Sequence, residues 1–283
     1  MFQPVMPQPI DYLVIGHITC DVTSDGLSLG GTATYATLTA RALGLRVGVV
    51  TSWGSEIPLG PLNDIPVISF PAEHSTTFEN IQTPDGRIQF VHYNAPPISL
   101  NLIPDAWRTA SIVHLGPILQ EVEPALVRHF PTALIGVTPQ GWLRSWDGDG
   151  RVHSSEWPEA SFVLQRAGAA VISVEDVNGD EIRIEEMDAS CRILAVTEAH
   201  QGARLYWHGD VRRFRPPIVY DEYDSTGAGD IFATAFFTRL FTTRDPWEAA
   251  RFATQLAAYS VTRPGLDGIP TADEIQECMV EVL

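Results

Sequence analysis

Lysine is absent from the 283 residues; all 18 basic side chains are arginine. A chain without lysine cannot contain a Walker A phosphate loop, the strand lysine of protein kinases or a lysine Schiff base. Any phosphate chemistry here must rest on backbone amides, arginine and metal. Cysteine is scarce. Cys20, Cys191 and Cys278 are an odd number at wide spacing, so they read as three reduced thiols rather than a disulfide or metal framework. No apolar run approaches membrane length, and the longest early one, around Tyr12 to Ile18, is strand-sized. The opening MFQPVMPQPID has no basic region and no long apolar stretch, so no secretory signal is expected and a cytoplasmic location is. The eight His are scattered without an HExxH or a tight His/Cys cluster, which disfavours zinc; a single one such as His114 is expected to be a hydrogen-bonded structural residue. Positive charge is also in deficit. Against 35 acidic residues the formal net charge is -17, a field that repels phosphate backbones, so neither nucleic acid nor membrane is an expected partner.

What is present is an ordinary globular composition, 45% hydrophobic and 19% charged, too apolar for disorder. The length suits one large core with a small appendage, and we expect a single domain over 1–283. Short apolar runs at Ser111–Leu115, Ala133–Val137, Ala170–Val174 and Arg192–Val196 read as buried strands. Stretches of helical character, Pro124–Phe130, Glu156–Ala167 and Gly179–Met187, lie between them. That alternation predicts an α/β fold with a mostly parallel central sheet flanked by helices. Two long helices are expected at 227–243 and 246–262, and a short one from Thr271. The first third differs. Ser75–Gln82 and Arg87–Tyr93 flank the turn signal Pro84-Asp85-Gly86, which predicts an inserted hairpin. With the strand read at Leu13–Asp21 it would make a small β lid from parts of 13–25 and 75–100. A second hairpin is expected at Ala203–Arg215.

The chemistry concentrates in Asp224-Ser225-Thr226-Gly227-Ala228-Gly229-Asp230, which runs directly into an apolar helix. Small residues at a helix start let the backbone approach a ligand, with free N–H groups and the positive end of the helix dipole aimed at it. This makes an anion site without a cationic side chain. Asp230 has two readings: a carboxylate complementing the helix dipole, or a general base beside a bound phosphate. The two glycines tip the balance to the second, since a plain cap has no need of them where they are entropically costly. Leu29-Gly30-Gly31-Thr32 opens another helix, which ends at Leu43-Gly44. That glycine pair reads either as a tight turn for packing or as close backbone approach to a ligand. Upstream, Asp21 is placed at a strand end, where it can accept hydrogen bonds from hydroxyls.

These segments, in this order, resemble the PfkB or ribokinase-like carbohydrate kinases. Asp224, Thr226, Gly227, Ala228, Gly229 and Asp230 match the family's D-x-T-G-A-G-D. Gly16, Ile18, Asp21, Gly30 and Gly31 are similar to its N-terminal signature. The resemblance implies a ribokinase-like fold with an early β lid, and ATP with Mg²⁺, often with a monovalent cation near the anion hole. It implies Asp230 as catalytic base and the amides of Gly227, Ala228 and Gly229 as the anion hole. Asp21, Gly30 and Gly31 would face the acceptor, and Thr197, Gly202 and Thr226 the nucleotide. Three positions depart from the family. Tyr35 stands where an Asn usually contacts the sugar. The N-x-x-E that meets the metal becomes Ser173-Val174-Glu175-Asp176, leaving Asp176 as the carboxylate. The T-x-G-x-x-G segment has Ala199 at its first glycine, costly for an L-residue only if φ is positive there.

The lid hairpin carries only Arg87 as a cation beside acidic Glu79, so an uncharged sugar, polyol or nucleoside is favoured over a phosphorylated acceptor. Tyr35, Phe78 and Tyr93 either stack on a base or ring face or pack the core and lid. The GGTATY stretch and Thr138–Arg144 look similar to members associated with inositol phosphorylation. Arg144 is the candidate cation for phosphate or acceptor, with a solvated surface Arg as the alternative. The expected function is ATP-dependent phosphorylation of a hydroxyl on a small carbohydrate-like molecule, by a monomer or a homodimer. Two others are carried beside it: a binding protein on the same fold that has lost catalysis, and a dinucleotide oxidoreductase, which the absence of GxGxxG after the first strand disfavours.

Overall fold

The computed structural model describes residues 8–83, 86–218 and 222–279. In chain order the elements are β1 (Tyr12–Ile15), β2 (Thr19–Thr23), β3 (Gly26–Gly30), α1 (Gly31–Ala42), β4 (Val47–Trp53), β5 (Val67–Pro71), β6 (Thr77–Thr83), β7 (Gly86–Tyr93), β8 (Ile112–Leu115) and β9 (Leu134–Val137). There follow β10 (Arg144–Trp146), β11 (Val152–Ser154), α2 (Ala160–Leu164), β12 (Ala169–Ser173), α3 (Glu181–Ser190), β13 (Ile193–Thr197), β14 (Ala203–Trp207) and β15 (Asp210–Phe214). The chain closes with α4 (Ala228–Thr243), α5 (Pro246–Ser260) and α6 (Ala272–Met279).

Nine strands form one sheet in the order β15-β14-β13-β12-β9-β8-β1-β4-β5. Every pair from β13 to β5 is parallel, and β14 and β15 add an antiparallel hairpin at one end. Successive strand side chains point to opposite faces, so a strand covered on both sides must be apolar throughout. β1 does this: Tyr12 and Val14 join the core beneath α1, α4 and α5, while Leu13 and Ile15 join the core on the other face. The sheet is built outward from β1, towards β4 and β5 on one side and β8, β9, β12 and β13 on the other. That reversal puts a switch point between β1 and β8, the place where ligands bind at strand carboxyl ends in such sheets. Buried Glu121 ties the two loops there together. Its carboxylate accepts the N–H groups of His17 (3.0 Å), Ile118 (3.0 Å) and Leu119 (2.7 Å).

A four-stranded sheet, β3-β2-β6-β7, stands over this edge. The single strand expected at Leu13–Asp21 is therefore two: Gly16–Ile18 breaks it, β1 joins the main sheet and β2 turns into the small one. The small sheet also takes in β3, beyond the expected 13–25. The Pro84-Asp85 part of the expected turn lies outside the described residues. Two helical expectations shrink. Pro124–Arg128 is a 3₁₀ turn, and Glu156–Ala167 keeps only the five-residue α2, because Pro158 delays helix entry.

His114 is buried with both ring nitrogens engaged, Nδ1 with Tyr12 Oη (3.1 Å) and Nε2 with Thr138 Oγ1 (2.9 Å). Burial pushes its pKa down to about 3. It is a structural histidine. No described helix is long and apolar enough to cross a membrane.

Candidate active site

The Asp224–Asp230 turn is fastened at its start. Asp224 accepts from the N–H of Thr226 (2.9 Å) with one oxygen and from that of Gly265 (2.8 Å) with the other. Burial opposes ionisation there, yet these hydrogen bonds hold its carboxyl below the usual range. The chain then enters α4 through Gly227 at φ 77°. An L-residue is strained at that angle, and a Cβ would also lie 2.2 Å from the Tyr35 ring. Gly227 is thus required twice, by its dihedral and by Tyr35 packed beneath it. The Ala228 N–H donates to Ser225 O (3.2 Å), whereas among the described residues no backbone acceptor takes those of Gly229 and Asp230. The dipole of the sixteen-residue α4 stands behind them.

Asp230, in the first turn of α4, meets the other glycine helix. Its carboxylate is hydrogen-bonded to Thr32, the buried residue that follows Gly31. Burial pushes the Asp230 carboxyl up to about 6; the nearby Asp176 acts in the same direction, and the Thr32 hydrogen bond and Arg144 oppose it. Asp21 packs on the α1 entry, where a Cβ on Gly30 would lie 2.0 Å from its Oδ2. Gly31 has φ 81°, and its backbone lies against Thr19 and His17. Tyr35 is buried, and burial together with the carboxylates of Asp230, Asp224 and Asp21 pushes its phenol up. The structure thus gathers Asp21, Gly30, Gly31, Tyr35, Gly227 and Asp230, which are spread across more than two hundred positions of sequence.

Next to this group lies a cleft of about 640 Å³ lined by Gln140, Arg144, Ser173, Asp176 and Ser225, among others. Asp176 is held by two hydrogen bonds, from Ser173 N (2.8 Å) and from Gln140 Nε2 (3.1 Å). Arg144 donates to Ile118 O (3.2 Å), and its own carbonyl accepts from Gln120. Thr197 closes β13 opposite Ser173 of β12, so it shares the same carboxyl edge although it does not line the cleft. Gly202 follows at φ 93° in the β13–β14 connection. Ala199 in that connection has φ 49°, so the family's glycine is replaced where the backbone is left-handed. Left-handed strain of about 1–2 kcal/mol outweighs the roughly 0.4–1 kcal/mol by which Ala restricts the unfolded chain. Ala199→Gly is therefore expected to raise Tm slightly, by about 1–3 °C. A lower Tm in a thermal melt would contradict the strain.

Sequence reasoning missed the β10–β11 hairpin. Its Arg151 and His153 line the cleft, and it is attached to the small sheet by a bridge between Phe90 and Arg151. Strands of three residues around Asp147-Gly148-Asp149-Gly150 give almost no periodicity to read. The aromatics divide. Phe78 is buried in the lid with Val91, Ile118 and Leu119, Tyr35 packs under Gly227, and exposed Tyr93 stacks on His74 at 4.1 Å. Arg87's side chain lies outside the described residues.

Residues 158–272 match the pfkB family carbohydrate kinase. The chain is 27% identical over 203 residues to an inositol 3-kinase of Zea mays, covering 71% of this chain and 52% of that protein. It is 28% identical over 221 residues to fructokinase-2 of Solanum lycopersicum, covering 67% and 65%. It thus spans about half to two thirds of these relatives' length. Among solved structures, a pyrophosphate-dependent kinase of the ribokinase family, complexed with a pyrophosphate analog and myo-inositol, superposes with a TM-score of 0.76. It is 20% identical, with 95% of this chain and all of that one covered. The fold is that of ribokinase.

Proposed function

We propose phosphoryl transfer from ATP to a hydroxyl of a small uncharged polyol or sugar, on the ribokinase fold and with residues 158–272 matching the pfkB family carbohydrate kinase. The observation that carries this is the meeting of Asp230 with the Gly30–Thr32 helix start at the mouth of the α4 anion turn. Phosphoryl transfer needs positioning and charge neutralisation more than covalent help from the protein. Gly229 and its neighbours in the turn would hold the transferring group with main-chain N–H groups. Asp21 would orient the acceptor, and Asp230 would take the proton from the attacking hydroxyl. Arg144 would neutralise phosphate charge at the cleft, with Thr197, Gly202 and Thr226 flanking the nucleotide.

Magnesium fits the residues present if it arrives with phosphate oxygens and keeps water. Among the described residues no group of three or more His, Cys, Asp or Glu could hold a metal alone. Asp176, already oriented by two hydrogen bonds in the cleft, would meet it, with or without an intervening water. When bound, Mg²⁺ offsets charge on the donor phosphates.

An inositol-like polyol or a sugar suits the acceptor side better than a nucleoside. Tyr35 and Phe78 are committed to packing and offer no platform for a base. The relatives' names point the same way. The test is a panel of inositol, fructose, ribose and adenosine with Mg-ATP or pyrophosphate, read as phosphorylated product. Turnover with a polyol or sugar supports the reading. No turnover with any acceptor, despite nucleotide binding, favours a catalytically silent binder.

A base must be ionised to work, and burial raises Asp230 to about 6. Activity should therefore rise with pH through about 6, falling tenfold per unit below it. A profile of kcat/KM, which reports the free enzyme, checks this. An acid limb near the ordinary carboxylate value of 3.8 would contradict the raised base.

A further inference from the structure

At the opposite, amino-terminal edge of the sheet lies a second cavity of about 540 Å³. It opens where β9 begins, just before β12 and β13, and beyond the end of α4. Four arginines line it: Arg128, Arg166, Arg192 and Arg244. No Asp or Glu does. The bias is sharp in a chain with 35 acidic residues and 18 arginines. Elsewhere Arg46, Arg108, Arg204, Arg213, Arg239, Arg251 and Arg263 have carboxylate partners, while Arg41, Arg183 and Arg212 form no ion pair among the described residues. None of the four at this cavity forms an ion pair among the described residues.

All four are exposed, and three of them are oriented by an aromatic ring. Arg128 and Arg166 each lie 4.4 Å from the Phe162 ring, and Arg166 also donates to Phe162 O (2.8 Å). Arg244 stands over Phe241 at 5.0 Å and caps α4 at φ 60°, a left-handed position where glycine would be easier. Guanidinium groups fixed by ring stacking are pre-organised for oxyanions, which they bind through paired N–H donors. The apolar floor, with Phe130 and Ile135, has the size of a small-molecule site. The net charge of -17 opposes an extended polyanion, so the occupant is small.

We propose that this cavity binds a small polyphosphate anion, at a site separate from the cleft at the carboxyl edge and independent of the kinase reading. The shared chemistry is a chain of two or three phosphates, free or carried by a nucleotide. Calorimetric titration with tripolyphosphate, and separately with ADP, distinguishes these sources. The wild-type protein should show an arginine-dependent binding event, whether or not a second one occurs at the cleft. The Arg166→Ala/Arg192→Ala variant should lose that event by at least tenfold in affinity, with any binding at the cleft unchanged. Arg244→Gly should weaken the same event while melting no lower than wild type, since glycine tolerates that dihedral, so lost binding is not lost folding. Arginine-dependent binding of either probe supports the site. Wild-type stoichiometry and affinity in both arginine variants, for both probes, overturns it.

Discussion

Asp230→Asn is expected to lower kcat by about 10²–10⁴-fold, the usual contribution of a positioned general base, with ADP affinity nearly unchanged. Asparagine has the same shape and can still accept the Thr32 hydrogen bond, so the α1–α4 junction should persist. Stability supplies an independent check of sign. Because burial raises the Asp230 pKa to about 6, the site favours the neutral form. The stabilisation of that form is complete below the unfolded value and is lost as pH rises through about 6. At neutral pH the variant, which carries no charge to desolvate, should therefore melt no lower than wild type. Loss of turnover with a retained or raised Tm marks a chemical role. Near-normal turnover would remove Asp230 as the base, and a lowered Tm would instead mark it as a structural anchor.

The second large effect is expected from Gly227→Ala, and it has a different signature. The new methyl group meets the Tyr35 ring at 2.2 Å, and the backbone at φ 77° is itself strained by any side chain. Left-handed strain costs about 1–2 kcal/mol and overpacking about 1–3 kcal/mol. Against a typical total of roughly 5–15 kcal/mol the protein should still fold, with a visibly lower Tm. The turn, however, must move away from Tyr35, and its N–H groups with it. Losing one donor from an oxyanion site costs about 10²–10³ in kcat, so at least that loss is expected, together with weaker phosphate binding. Tyr35→Ala in the same background should restore part of the stability by vacating the clash. Wild-type activity in Gly227→Ala would mean that the main-chain N–H groups of this turn do not hold the transferring group.

The parts of the molecule that could be read in the sequence are local ones. β8, β9, β12 and β13 fall within a residue or two of the apolar runs that predict them, because strands buried on both faces leave an unbroken hydrophobic signature. Gly227 through Asp230 announce a helix start by composition alone. What the sequence conceals is contact across distance. Nothing in Thr32 or Tyr35 by itself says that one touches Asp230 and the other supports Gly227; their neighbours are set by how α1 packs on α4. Ala199 is a middle case: the motif flags the position, and only the backbone angle of 49° decides that its side chain is strained. The Leu13–Asp21 stretch misleads for a related reason. Its β-forming residues are continuous, whereas the change of sheet at Gly16–Ile18 is a tertiary event, recorded in the close approach of Gly16 to Gly116 O.

The account depends on backbone N–H groups at the start of α4 gripping a phosphoryl group beside the Asp230 carboxylate. Amide NMR of ¹⁵N-labelled protein, titrated with Mg-ADP, aluminium fluoride and a polyol acceptor, reads those groups directly. Large downfield proton shifts at Gly227, Gly229 and Asp230, appearing only when all components are present, are the predicted result. Unmoved resonances at these three positions, with the perturbations confined to other segments, would contradict it.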